Sequence, residues 1–175
     1  MRVALKLHPD SVCDAVTSIE VHAERTADGV SLHYRLNGDL GNVLMPPLAA
    51  GRRDELWRHT CFEAFLRTAN PYYEFNLSPS CEWAAYRFDK YRERMTLAAL
   101  DSPRIAVVGT DGFASGMSLD LNGIADLPAD TIWRIGLSAV IEEANGRLSY
   151  WALAHPPGKP DFHHPDCFAL ELPPP

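Results

Sequence analysis

Between residues 72 and 88 the chain reads YYEFNLSPSCEWAAYRF, two runs in which large apolar and polar residues alternate on either side of a Ser-Pro-Ser break. Alternation with period two is the pattern of an extended strand, because successive side chains there point to opposite faces. Tyr73, Phe75 and Leu77 then share one face, and Tyr72, Glu74 and Asn76 share the other. The preceding run, about 56–67, splits the same way: Phe62, Ala64 and Leu66 against Cys61, Glu63, Phe65 and Arg67. In the run after the break, Ala84, Tyr86 and Phe88 form the more apolar set, which leaves Trp83, Ala85 and Arg87 opposite. In each run the more apolar set is expected to pack inward.

The same short-strand pattern extends along the chain. SIEVHAER and VSLHYRLNG flank an Asp28–Gly29 turn, a strong hairpin signal, and Asn145–Gly146 marks a second hairpin. PRIAVVGT, FASGMSLDL, TIWRIGLSAVIEE, GRLSYWALAH and CFALEL supply later strands. PPLAAGRRDE is a loop, since its prolines and glycine break regular structure. DKYRERMTLAAL, rich in helix formers without strict alternation, is expected to be a short helix or an irregular excursion. The expected fold is all-β: an antiparallel, jelly-roll-like β-sandwich with at most one or two short helices. With 175 residues, 46% of them hydrophobic, the chain is long enough to bury a core as a single domain spanning 1–175.

Charge and cysteine content remove several classes of function. A formal charge of −7, with no basic cluster beyond Arg52–Arg53, argues against a nucleic-acid partner. The apolar start MRVALKL is broken by Lys6, His8, Pro9 and Asp10, which argues against a signal peptide, and no later stretch is apolar enough to span a bilayer as a helix. Cys13, Cys61, Cys81 and Cys167 are scattered without a CxxC, so reduced thiols and a cytoplasmic location are expected.

If the three runs are sheet neighbours, the less apolar sets gather Glu63, Arg67, Tyr72, Glu74, Asn76, Trp83 and Arg87 on one face. Such a face can be an ordinary solvated surface laced with Glu–Arg pairs, each worth about 0–1 kcal/mol when exposed. It can equally be a ligand platform, with Trp57, Tyr72 and Trp83 stacking on a sugar ring while carboxylates, amides and guanidinium groups bond its hydroxyls. Trp57 and Trp83 can also be buried under loops.

The segment ELWRHTCFEAFLRTANPYYEFNLSPSCEWAAYRF, with VSLHYRLNGDLGNVLMPP before it and KPDFHHPDCFALEL after, resembles the bacterial DOMON-like proteins related to family 9 carbohydrate-binding modules. That resemblance implies a jelly-roll-like β-sandwich with a binding, non-catalytic role. It implies functional weight at the acidic residue of the TCFE strand, Glu63, and at Tyr73, Glu74 and Asn76 of the next strand. The expected ligand-binding set is therefore Trp57, Glu63, Tyr72, Glu74, Asn76, Trp83 and Arg87, with a saccharide or polyol as ligand and no catalytic residue, metal or cofactor.

Other chemistries use the same residues. Glu63 and Glu74 could form a glycosidase pair, since adjacent strands can set two carboxyls about 5–9 Å apart. The face could instead meet a protein partner. Cys61 or Cys81 would act as nucleophile only with a lowered thiol pKa and a partnered histidine, and His59 shares the parity of Cys61. The run DFHHPDC, 161–167, with His155 upstream, offers metal donors, but adjacent histidines in an extended segment diverge, and Pro165–Asp166 reads as a turn. Some DOMON domains bind haem, which requires axial ligands such as Met with His; Met45, Met95 and Met117 are expected in or near loops, and there is no CxxCH.

Overall fold

The computed structural model describes residues 1–109, 113–120, 124 and 126–175, with only the backbone of 107–109 and 113–120. The described residues form thirteen strands: β1 (Arg2–Leu7), β2 (Val16–Thr26), β3 (Gly29–Gly38), β4 (Gly51–Arg52), β5 (Cys61–Arg67), β6 (Tyr72–Leu77), β7 (Glu82–Phe88), β8 (Thr96–Leu97), β9 (Arg104–Gly109), β10 (Phe113–Asp120), β11 (Trp133–Glu142), β12 (Leu148–Ala152) and β13 (Leu170–Leu172). Helical structure among them is confined to three single turns of 3-10 helix, Leu40–Asn42, Leu56–Arg58 and Pro165–Cys167. The all-β expectation holds.

The strands make two sheets. The first runs β1-β2-β3-β10-β9; the second runs β4-β7-β6-β5-β11-β12-β1, with β13 on β11 and β8 on β7. Pairing is antiparallel except between β4 and β7. β1, which the sequence pattern did not mark as a strand, belongs to both sheets: its residues 2–5 pair with β2, and Lys6 and Leu7 pair with β12. A strand that changes sheet in this way makes one corner of a sandwich. Both hairpins form, the first with its two turn residues at Ala27–Asp28, one position before the expected Asp28–Gly29. Thr26 pairs with Gly29, and Gly146 takes the positive φ of 80° that a tight turn between β11 and β12 requires.

Between the sheets, Ile19, Val21, Leu32, Tyr34 and Leu36 of β2 and β3 meet Phe62, Leu66, Phe75 and Leu137 of the second sheet. Each such apolar side chain contributes about 1.5–3 kcal/mol by leaving water. The Tyr34 hydroxyl crosses the core and donates to the Glu63 carbonyl at 2.7 Å, so its polar end is satisfied without a second side chain.

One local expectation is decided between its alternatives and another is corrected. Residues 89–100 form the irregular excursion and no helix. Arg92 and Arg94 lie in the left-handed region, with φ of 54° and 52°, and a Lys90–Glu93 bridge precedes β8. The Arg92 N–H donates to the Tyr72 hydroxyl and its guanidinium reaches Asp161, contacts that outweigh helix propensity. The run 56–67 is not one strand. Glu55 turns left-handed (φ 62°), residues 56–58 make a 3-10 turn, and pairing begins at Cys61. Met117, expected in or near a loop, lies in β10.

Candidate functional site

β5 and β6 are buried on both faces from Cys61 to Leu66 and from Tyr72 to Leu77. One face is the sandwich core. The other is covered by two segments that cross it from outside, 89–95 and 154–168, together with the 3-10 turn at Leu56–Arg58. Beneath that cover is a cavity of about 410 Å³ lined by Trp57, Glu63, Glu74, Tyr86, Phe88, Arg92, Met95, Val140, Tyr150, Pro160, Phe162 and His163.

Cross-strand register explains its floor. Ser138 of β11 stands opposite Glu63 of β5, which stands opposite Asn76 of β6, which stands opposite Ala84 of β7. Three buried oxygens of this row, Glu63 Oε1, Asn76 Oδ1 and Ser138 Oγ, lack a hydrogen bond of good geometry, although the Ser138 hydroxyl stands close enough to the Glu63 carboxyl to favour its charged form. An unsatisfied buried polar atom costs about 1–3 kcal/mol, so three in one row are a strong departure from ordinary sheet design. Glu63 is 3% exposed and Asn76 is fully buried. Glu74, two residues along β6 from Asn76, accepts from the Asn76 amide at 2.6 Å through Oε1.

The carboxyls are held away from their usual state. Burial, and then the neighbouring Glu74, push the Glu63 pKa well above the ordinary carboxylate range, with the Ser138 hydroxyl and the Arg92 guanidinium acting weakly the other way. Burial raises Glu74 to about 7, despite the opposing Asn76 hydrogen bond and Arg92 charge. Arg92 does not neutralise the pair on its own, since it is bound to Asp161 at 2.8 Å, and Asp161 also accepts a short hydrogen bond from the Tyr91 hydroxyl. The His163 side chain is 13% exposed, and its pKa is lowered to about 4 by partial burial and by Arg92, so the ring is neutral at pH 7. The Tyr72 hydroxyl, which already accepts from Arg92 N–H, lies 2.8 Å from His163 Nδ1, and this leaves the phenolic proton for that nitrogen. His163 Nε2 then faces Glu74 Oε2 at 3.6 Å.

Aromatic rings make the walls. Trp57, 37% exposed, stands edge-on to Tyr86 with centroids 6.0 Å apart, and the Tyr86 hydroxyl is anchored on Asp54 at 2.8 Å. Tyr150 and Phe162 lean together at 6.2 Å.

Of the seven residues expected to bind ligand, Trp57, Glu63 and Glu74 line the cavity. Tyr72 and Asn76 lie on the same face one step back, where they hold His163 and Glu74. Trp83 and Arg87 do not join them. β7 pairs Leu77 with Trp83, Phe75 with Ala85 and Tyr73 with Arg87, which puts this parity on the core side. Trp83 is 7% exposed in the sandwich core with the Arg52 guanidinium over its ring at 4.5 Å, and Arg87 bonds Asp89 and Asp126. The parity was misassigned because both faces of β7 are buried, so hydrophobicity does not mark which one is the core. Tyr86, Phe88, Arg92, Met95, Tyr150, Phe162 and His163 were missed. Tyr86 and Phe88 had been assigned to the inward set, Arg92 and Met95 fall in the segment directly after β7 expected to be a helix or irregular excursion, and Tyr150, Phe162 and His163 arrive from segments distant in sequence.

The competing chemistries fit less well. Burial and nearby carboxyls push the Cys61 thiol up, and His59 is taken by Glu142 at 2.7 Å, so Cys61 is not an activated thiolate. In DFHHPDC the two histidines diverge: His163 enters the cavity, while His164 accepts from Asp166 N–H and caps the turn at Pro165–Cys167. Among the described residues no three His, Cys, Asp or Glu side chains gather for a metal. Met95 and His163 both line the cavity, but His163 is committed to Tyr72 through Nδ1 and turns Nε2 to Glu74. No described helix is long and apolar enough to cross a membrane.

No family model matches the chain, and no curated protein matches it in sequence. Its fold is similar to that of a candidate carbohydrate-binding protein from Bacteroides uniformis, with a TM-score of 0.65 and 14% identity over 93% of this chain and 83% of that one. It is also similar to a family 9 carbohydrate-binding module from Caldicellulosiruptor kristjanssonii in complex with cellotriose, with a TM-score of 0.51 and 10% identity over 88% of this chain and 74% of that one. At these identities the likeness establishes a shared sandwich fold.

Proposed function

We propose that the protein binds a saccharide or closely related polyol, without catalysis, in the cavity floored by Glu63 and Glu74. The observation that carries this reading is the row of unpartnered buried oxygens under a cavity walled by aromatic rings. A sugar hydroxyl both donates and accepts, so it can meet a carboxyl in either protonation state. The sugar's C–H faces meet Trp57, Tyr86 and Phe162. The volume, about 410 Å³, suits one or two sugar rings at the lower end of small-molecule pockets. Kinship in fold with carbohydrate-binding proteins, and the resemblance to DOMON-like proteins, support the same ligand class.

Titration calorimetry against a panel of mono- and oligosaccharides tests it. At least one sugar should bind, and Trp57→Ala should weaken it by about 1–2 kcal/mol, the contribution of a stacking wall, with little loss of melting temperature. Product formation from a glycoside would instead assign Glu63 and Glu74 to hydrolysis. Silence across the panel would remove the saccharide reading.

A further inference from the structure

The cavity floor is formally over-supplied with negative charge. Two carboxyls, Glu63 and Glu74, face it from adjacent strands, and the one guanidinium among the lining residues, Arg92, is already paired with Asp161 at 2.8 Å. His163, the other nitrogen base in the lining, packs among Phe65, Phe88 and Tyr72 and stands neutral. Glu63 Oε1 is buried without a partner. Two buried carboxyls with no free counter-charge are stable as neutral acids, but they become strong acceptors the moment a cation arrives. Around them stand the rings of Trp57, Tyr86, Tyr150 and Phe162, whose π faces attract an ammonium group. An uncharged sugar leaves both carboxyls as neutral acids, whereas a cation draws out their strength as acceptors.

Resting on the saccharide reading above, we propose that the preferred ligand is a saccharide bearing a free ammonium group, which enters between Glu63 and Glu74 and supplies the missing positive charge. The ammonium donates three hydrogen bonds and accepts none. That matches a floor of acceptors: Glu63 Oε1, Glu74 Oε2 and the unpartnered Asn76 Oδ1 one step behind. Binding is accompanied by release of one proton from the carboxyl pair, so one ammonium replaces one proton, the net charge of the site is unchanged and no redox step is involved. Other titratable and charged groups facing the pair are Arg92 from the covering segment 89–95, Tyr34 from β3, Tyr72 from β6, Tyr86 from β7 and Cys61 from β5. None of them is a free cation that already fills this role.

The test compares glucosamine, N-acetylglucosamine and glucose by calorimetry on the full chain, at a mildly acidic pH where the amine is charged. Glucosamine should bind about tenfold to a hundredfold tighter than either neutral sugar, the range of a charge-assisted hydrogen bond. The measured heat should change between buffers of different ionisation enthalpy, because a proton leaves with binding. Glu63→Gln and Glu74→Gln should each abolish most of the preference; the wild-type comparison with the N-acetyl sugar stands by itself if either variant fails to fold. Equal affinity for glucose and glucosamine overturns the ammonium proposal and leaves the saccharide reading intact. Binding of tetramethylammonium or calcium ions as tight as that of glucosamine overturns it as well, by making the site one for a bare cation. Failure of every sugar, charged or neutral, removes both.

Discussion

The two sheets solve the same packing problem differently. In the first sheet, β2 alternates from Ile19 onward and β3 from Val30 to Leu36, with Ile19, Val21 and Ala23 buried while Glu20, His22 and Glu24 are exposed. In the second, β5 and β6 are buried at nearly every position on both faces, because the segments 89–95 and 154–168 lie across the outside. An apolar outer face would be the economical choice for a covered sheet. Instead the covered face carries Glu63, Glu74, Asn76 and Ser138, with three of their oxygens unpartnered. Polar groups kept where they cost stability point to use rather than to folding.

The largest effect expected from this contrast separates the two faces of the second sheet itself. Phe75→Ala and Trp83→Ala remove large side chains from the core between the sheets and should each cost about 3–5 kcal/mol. Trp57→Ala, on the ligand side and 37% exposed, should cost well under half of that. Urea denaturation of the three variants measures it. A Trp83→Ala variant as stable as wild type would return Trp83 to the ligand face and break the assignment of β7.

How much of this was legible in the sequence follows from the same contrast. Where one face is solvated, as in β2 and β3, alternation names the inward residues directly, and the hairpin between them was read from it. Where both faces are buried the pattern keeps its period but loses its sign. Phe62, Phe75 and their neighbours were placed correctly because Glu63, Glu74 and Asn76 marked the other parity. In β7 no such mark exists, since Tyr86 and Phe88 look more like a core than Trp83, Ala85 and Arg87 do. Phase is instead carried across by the turn at 78–81, where Cys81 takes a φ of 72° and Ser78 N–H bonds Glu82 O. The cover was illegible for a different reason: His163 and Phe162 sit about ninety residues from the strands they close, and nothing local records that return. The diverging His163–His164 pair was the one available hint, since one of the two had to point inward.

A smaller effect concerns the charge state of the covered face. Glu74, raised to about 7 from an ordinary value near 4.3, keeps in the native state a proton that the unfolded chain has already released. Its contribution to stability is therefore lost as pH rises from about 4.5 to 7, by up to about 3 kcal/mol. His163 works in the opposite sense. Lowered to about 4, it is neutral in the native state while the unfolded ring still binds a proton, so its contribution is gained as pH rises from about 4 to 6.5. The two slopes oppose each other in the wild type, so the informative quantity is a difference. The stability of Glu74→Gln relative to wild type should climb steadily between pH 4.5 and 7. Urea midpoints measured for both proteins across that range check it, and a constant difference would mean that Glu74 titrates as an ordinary exposed carboxylate.

The smallest effect belongs to the first sheet, and its smallness is what gives the comparison its meaning. On the outer surface His22 of β2 and His33 of β3 are cross-strand partners, their rings stacked with centroids 6.4 Å apart, and His33 also reaches the Ser31 hydroxyl at 3.2 Å. Both are exposed, so neither ring gives up much contact with water, and a cross-strand pair of this kind contributes about 0.2–1 kcal/mol. His22→Ala and His33→Ala should each shift stability by no more than about 0.5 kcal/mol, with the double variant slightly less destabilised than the sum because the pair is lost once. Neither substitution should change the affinity of any sugar that the second sheet binds, since the whole sandwich core lies between. Thermal denaturation and calorimetry on the same three variants decide it. A loss of sugar affinity in His22→Ala would mean that the first sheet's open face takes part in recognition, and the distinction between a solvated sheet and a functional one would no longer hold.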